Sequence, residues 1–245
     1  MVFKLELINN KIFKTIFESI TKIIDEVTLI CDSDGIHLSA LDRSHITFVE
    51  LELDKTLFDT YQCDVPEKIS IDCEEFLKVL KRMKTSDILE LTIDEGNLVT
   101  IFKGDSERKF NIRLIDLEYE PASPPNINHP IKIRVPSQLL VDALADMEIY
   151  SDKLTFTVDQ DYFKIYTRGN MGDSEISYIH GEQINETATS TYNIPKLQDI
   201  MKASKFSEEC LLQFGDNMPL SIRFELVTGD GTLSYLLAPR IEIDE

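Results

Sequence analysis

One order of secondary-structure signals occurs twice along this chain of 245 residues, and a proline-rich segment separates the two occurrences. Period-two apolar alternation predicts strands at Val2–Leu7, Val27–Cys31, Ile36–Leu41, Thr47–Leu53, Ile88–Ile93, Leu98–Phe102 and Lys109–Ile115. A second series follows at Ile131–Val135, Leu154–Val158, Phe163–Thr167, Glu175–His180, Leu211–Phe214, Ser221–Leu226 and Leu233–Leu237. Turn formers punctuate both series: Asp32-Ser33-Asp34-Gly35, Asp94-Glu95-Gly96-Asn97, Gly215-Asp216-Asn217 and the hairpin signal Gly229-Asp230-Gly231. Helical spacing appears in four segments. In Lys11–Ile24 the apolar side chains fall within about 140° of arc. Glu74–Lys84 carries Phe76, Leu77, Leu80 and Met83 on one face, and Ser137–Glu148 follows Pro136 at a plausible helix start. Pro195–Ser204 is the fourth. The pattern Phe76-Leu77-x-x-Leu80 and its following hairpin return 120 to 122 residues later as Leu197-x-x-Ile200-Met201 and its hairpin. The economical reading is a duplicated unit of antiparallel strands with two helices, an α+β fold.

The segment 117–130 holds four prolines in fourteen residues, so it can be neither a helix nor a central strand. It reads as an extended connector between domains at 1–116 and 131–245. A hydrophobic fraction of 42% is ample for two cores. No apolar run approaches the roughly 20 residues of a membrane span, and the N-terminus goes straight into strand alternation, which predicts a soluble intracellular protein. Cys31, Cys63, Cys73 and Cys210 are irregularly spaced and the four histidines are scattered, so no zinc site, disulfide framework, other metal site or cofactor is expected. Carboxylate pairs such as Asp159/Asp161 suggest a hydrolase only weakly, because no nucleophile, base or metal set converges on them.

The net charge of −19 argues against nucleic acid until its distribution is considered. Lys11, Lys14 and Lys22 oppose the apolar stripe of the first helix, and Lys78, Lys81 and Arg82 that of the second, with Lys84 just beyond. Lys196, Lys202 and Lys205 attend the fourth. Ten of the 25 basic residues therefore sit on or beside three helices. Ordinary solvated helix faces, with lysine near helix C-termini, would account for each helix taken singly. Together they suit a phosphate track without base reading, and the absence of interleaved aromatics disfavours single-strand stacking. The third helix is acidic instead. Asp142 and Asp146 flank its stripe at i, i+4, a repulsive spacing that a basic surface on a second copy (Arg82, Lys84, Arg108) would relieve.

Leu41-Asp42-Arg43-Ser44-His45-Ile46, Leu77-x-x-Leu80-Lys81, Leu114-Ile115-Asp116 and above all Tyr235-Leu236-Leu237-Ala238-Pro239-Arg240-Ile241-Glu242 resemble the proliferating cell nuclear antigen family of DNA sliding clamps, archaeal members in particular. The likeness runs from end to end. It implies a non-enzymatic processivity factor, a head-to-tail homotrimeric ring around double-stranded DNA with helices lining the hole. It also implies edge strands at Lys109–Ile115 and Glu175–His180 that pair between copies. Lys11, Lys14, Lys22, Lys78, Lys81, Lys202 and Lys205 are then the expected DNA contacts. Family members often carry basic residues where Asp142 and Asp146 stand, so the third helix is left out of that track. The expected copy-to-copy contacts are Arg82, Lys84, Arg108, Phe110, Ile112, Asp142, Asp146, Ile176 and Tyr178. Leu41, His45, Phe48, Pro124, Pro219, Leu236, Ala238, Pro239 and Ile241 match a hollow for short client peptides from DNA polymerase, clamp loader, ligase and flap nuclease. In an archaeal cell the resemblance implies cytoplasm or nucleoid. The alternative within the same architecture is a subunit of a hetero-oligomeric or checkpoint-type ring.

Overall fold

The computed structural model describes residues 3–117, 122 and 125–241. Two compact units emerge: Met1–Arg43, Val49–Ser123 and Leu226–Leu233 form the first, and Ser44–Phe48, Pro124–Glu225 and Ser234–Glu245 the second. The first contains β1 (Phe3–Leu7), α1 (Lys11–Ile20), β2 (Glu26–Cys31), β3 (Gly35–Leu41), most of β4 (Thr47–Asp54), β5 (Thr60–Cys63), β6 (Glu67–Asp72), α2 (Cys73–Leu80), β7 (Ile88–Asp94), β8 (Asn97–Lys103) and β9 (Glu107–Arg113). The second contains β10 (Ile131–Pro136), α3 (Ser137–Glu148), β11 (Lys153–Val158), β12 (Tyr162–Gly169), β13 (Gly172–Ile179), β14 (Ala188–Asn193), α4 (Ile194–Ile200), β15 (Glu209–Phe214), β16 (Leu220–Glu225) and most of β17 (Gly231–Leu237).

The duplication is visible in the sheet orders. In the first unit β1 pairs with β7 and the order continues to β8 and β9; in the second β10 pairs with β15, then β16 and β17. The strand after each first helix likewise pairs with the strand before each second helix, β2 with β6 and β11 with β14. By position in the repeat, β17 is therefore the counterpart of β9, and β4 the counterpart of β13.

Helix ends follow local chemistry. Asp72 caps α2 by accepting from the Glu75 N–H (2.8 Å), and Asn193 caps α4 by accepting from the Lys196 N–H (3.0 Å). The first helix stops at Ile20 rather than at Ile24, and α2 at Leu80 rather than at Lys84; turns replace the last expected residues of each. Lys202 and Lys205 stand on a 3-10 turn that extends α4. The cores are aromatic. Phe17 of α1 meets Phe76 of α2 edge-on at 4.7 Å, and Phe156 of β11 lies 5.1 Å from Phe163, 5.5 Å from Tyr192 and 6.0 Å from Phe214. Cys31, Cys73 and Cys210 are buried and Cys63 half-buried, all as free thiols.

Three strands escape the alternation pattern: β5, β6 and β14. They are short or polar (Thr60-Tyr-Gln-Cys63, Glu67-Lys-Ile-Ser-Ile-Asp72, Ala188-Thr-Ser-Thr-Tyr-Asn193), and partner strands define them. Strand β9 starts and ends two residues earlier than expected, because Leu114 and Ile115 turn their N–H groups to the Gly96 and Ser70 carbonyls.

Across β1, β7 and β8 runs a network of alternating charge. The Lys103 ammonium bonds Glu6 at 2.7 Å and Glu90 at 2.8 Å, and Lys4 reaches Glu90 at 2.8 Å. The Lys103 hydrogen bond pulls the Glu6 carboxyl down to about 2. The folded value lies below the unfolded one, so this contribution is complete above pH of about 4.5 and is lost as pH falls toward about 2. Because the network is partly solvated, Glu6→Gln is expected to cost only about 1 kcal/mol at pH 7. Urea titrations should show that difference shrinking to nothing near pH 2; a difference constant with pH would contradict the network.

Candidate nucleic-acid and protein interfaces

The helix lysines of the expected track are not equivalent. Lys78 is engaged by Glu75 at 2.8 Å and Glu74 at 3.8 Å, and Lys14 lies 3.9 Å from Glu18. Among the described residues no ion-pair partner lies within 4 Å of Lys11, Lys22, Lys81, Lys202 or Lys205, all of them exposed. Lys81 is the C-cap of α2, Lys22 stands in the turn after α1, and Lys202 and Lys205 close the 3-10 turn; the helix carbonyl ends thus favour their charge locally. In the first unit α1 and α2 are neighbours, so Lys11, Lys14, Lys22, Lys78 and Lys81 belong to one helical layer. In the second, Asp142, Asp146 and Glu148 are exposed on α3; Asp142 accepts from Gln138 Nε2 (2.8 Å) and Glu148 from Gln198 Nε2 (2.7 Å).

The two strands expected to meet between copies stand at the ends of their sheet orders. Among the described residues β9 has only β8 beside it, and β13 only β12. Phe110, Ile176 and Tyr178 are half-buried on these strands, while Ile112 is buried and Ile179 exposed. The strand β13 lies under α3, which places the acids near one edge. At the other edge Arg108 of β9 donates from Nη1 to the Arg82 carbonyl (2.8 Å) and from Nη2 to Asp87. Arg82 and Lys84 remain exposed beside it, Lys84 at 3.5 Å from Asp105.

Most peptide-pocket residues collect in the second unit. Residues 44–48 run beside 234–238, with the Ala238 N–H donating to the Ile46 carbonyl (2.9 Å). His45 is exposed at a left-handed φ of 58°, which turns the chain ahead of Ile46. Leu236, Ala238 and Pro239 are half-buried, and Ile241 is 69% exposed. The carbonyl of the half-buried Pro219 accepts from His129 Nε2–H at 2.8 Å, and burial lowers the His129 pKa. Phe48 is only 6% exposed, so little of its side chain is open to a docked peptide. Leu41 belongs to the first unit and is exposed, and Pro124 lies outside the described residues, as do 118–121, 123 and Glu242. Two contributors were not anticipated. Ile46 adds exposed apolar surface, and Arg240 fastens the tail, its N–H bonding the Thr191 carbonyl (2.7 Å) and its guanidinium bonding Asp152 (2.7 Å). Its place in the terminal motif was legible, but its partners, 49 and 88 positions away, were not. Among the described residues no group of three His, Cys, Asp or Glu side chains is arranged to hold a metal, and no helix is long and apolar enough to cross a membrane.

Comparison with known proteins bears on this geometry. The family profile for the proliferating cell nuclear antigen N-terminal domain matches residues 2–121, and that for repair protein Rad1/Rec1/Rad17 matches 89–225. A DNA polymerase sliding clamp of Methanobrevibacter smithii is 50% identical over 244 residues, covering 100% of both chains. The chain belongs to the DNA polymerase sliding clamp family. The sliding clamp of Methanothermobacter thermautotrophicus is 49% identical with the same coverage. Crystallised proliferating cell nuclear antigen of Thermococcus kodakaraensis superposes with a TM-score of 0.92 at 26% identity, over 97% of this chain and 100% of the other. That from Entamoeba histolytica, at 22% identity and a TM-score of 0.91 over 98% and 99%, shares the fold. The α+β reading with antiparallel sheets and two helices per repeat is thus that of the sliding clamp family.

Proposed function

We propose that this chain is a DNA polymerase sliding clamp, a non-enzymatic subunit of a homotrimeric ring that encircles duplex DNA and tethers replication and repair enzymes. The observation that carries it is full-length identity of 50% to a protein of that name. The sequence domains 1–116 and 131–245 with connector 117–130 supply two copies of the repeat per subunit. Within each unit a β17 segment lies beside a β4 segment: Ala238 N–H bonds the Ile46 carbonyl in the second, and Asp54 N–H bonds the Asp230 carbonyl (2.8 Å) in the first. Among the described residues their counterparts β9 and β13 each pair with a strand on one side only, and in the proposed ring they pair head to tail between copies. The basic group near β9 (Arg82, Lys84, Arg108) then meets Asp142 and Asp146 near β13.

Lys11, Lys22, Lys81, Lys202 and Lys205 make the working phosphate contacts, with Lys14 and Lys78 contributing less because carboxylates of their own helices already engage them. Short peptides of polymerase, clamp loader, ligase and flap nuclease dock on the second-unit residues His45, Ile46, Pro219, Leu236, Ala238, Pro239 and Ile241. Such a protein works inside the cell, at the chromosome.

Loaded onto a nicked circular duplex, the protein should be retained through a salt wash and then released when the circle is cut. Equal retention on both forms would identify an ordinary DNA binder. A second reading, a subunit of a hetero-oligomeric repair ring, draws on the repair-protein profile over 89–225. Complementary charge on the two edges of one chain favours the homotrimer.

A further inference from the structure

A compact hydrogen-bond knot stands where α1 begins, α2 ends and β9 runs past, and the proposed phosphate and peptide contacts do not use it. Its centre is Asp87, a carboxylate only 3% exposed in a strongly acidic protein. One oxygen, Oδ2, accepts from the Lys84 backbone N–H (2.7 Å) and from Arg108 Nη2. The other, Oδ1, faces Gly104, where an added Cβ would stand 2.3 Å away. Asn10, at the N-cap position of α1, leaves the capping role and donates its side-chain amide to the Lys84 carbonyl (2.9 Å) and the Asp87 carbonyl. Arg108 completes the circuit by donating to the Arg82 carbonyl (2.8 Å). Both backbone groups of Lys84 and the carbonyl of Arg82 are thus fixed by three side chains, Asp87 of the same loop, Asn10 ahead of α1 and Arg108 of β9, while the Arg82 and Lys84 side chains stay exposed.

We infer that Asp87 is a positioning residue for copy-to-copy assembly: its buried carboxylate, held by Arg108, sets the 82–84 turn against the β9 edge so that Arg82 and Lys84 meet the acidic face of α3 on a second copy. The inference rests on the ring reading above. Its physical basis is preorganisation. A turn already fixed loses little freedom on docking, whereas a loose one must be ordered at the moment of contact. A buried charge-assisted pair is the interaction best able to hold such a turn.

The sign of the effect separates positioning from bulk charge. Asp87→Asn removes a negative charge beside a basic surface that meets an acidic one, so long-range attraction alone would tighten assembly. Positioning predicts the opposite, a weakening of about tenfold or more in the assembly constant. Gly104→Ala should do the same with no change of charge, by driving its Cβ into Oδ1. Arg108→Lys keeps the charge but loses the fork that bridges Asp87 and Arg82, and should also weaken assembly. The measurements are light scattering across a dilution series and amide hydrogen exchange, on the full-length chain. The expected result is earlier dissociation of all three variants, with faster exchange at Lys84 and unchanged protection along β7 and β8. Variants that assemble as tightly as wild type, or lose protection uniformly across the first unit, overturn the inference. A wild-type chain that is itself monomeric refutes the ring reading instead.

Discussion

Replacing both Asp142 and Asp146 by lysine is expected to convert the assembled protein into monomers at micromolar concentration. Both side chains are exposed on α3, and their one described side-chain bond is the local Gln138–Asp142 contact, so the fold has little to lose. The exchange moves four charge units per chain on the surface proposed to face Arg82, Lys84 and Arg108. Juxtaposed like charges at an interface cost several kcal/mol, about a hundredfold or more in association for each contact. The penalty should be greatest at low salt, since the Debye length is about 10 Å at 0.1 M. Light scattering should give the mass of one chain where the parent gives three, with an unchanged far-ultraviolet spectrum. Reversing Arg82 and Lys84 to glutamate in the same chain should restore part of the assembly. A double-lysine variant that still assembles at low salt would show that α3 does not face the basic turn.

Phe156→Ala is expected to be the most destabilising single truncation considered, at about 3–5 kcal/mol. Phe156 is 1% exposed, and its ring touches one aromatic from each of β12, β14 and β15, so it fastens the two sheets of the second unit together. It also lines an apolar hollow with Leu140, Leu144, Ile165 and Leu197, and truncation would enlarge a space its neighbours already fail to fill. Against a typical stability of about 5–15 kcal/mol, such a loss leaves that unit marginal. Urea unfolding followed by amide exchange should place the loss in β11, β12 and β14. A cost below about 1 kcal/mol would mean that the cluster repacks. Thr157→Ala, one position along and facing out, is the control, expected within about 0.5 kcal/mol.

The elements with strong periodicity were legible from the residues alone. The helix Ser137–Glu148 begins and ends where the spacing places it, and Gly96 and Gly229 adopt the left-handed backbone that glycine favours. Strands β5, β6 and β14 were not legible, because a strand of four to six polar residues is made by the neighbour it pairs with and carries little signal of its own. The last turns of α1 and α2 were overestimated for a related reason. Apolar spacing continues through Ile24 and Met83, but a buried side chain can be delivered by a turn as well as by a helix.

The same division holds for the candidate surfaces. The sequence by itself determined the duplication, the segregation of lysine onto helices and the terminal motif, because each is a local or periodic property of residue type. Only the tertiary structure decided which lysines are unengaged, that β9 and β13 end their sheets, and that Arg240 finds Asp152 and Arg108 finds Asp87. Those are pairings between residues 21 and 88 positions apart, and no spacing rule reaches across a chain reversal set by core packing. The buried carboxylate of Asp87 is the clearest case: one more acid among 44 in the sequence, it becomes a fixed point only when three elements close around it.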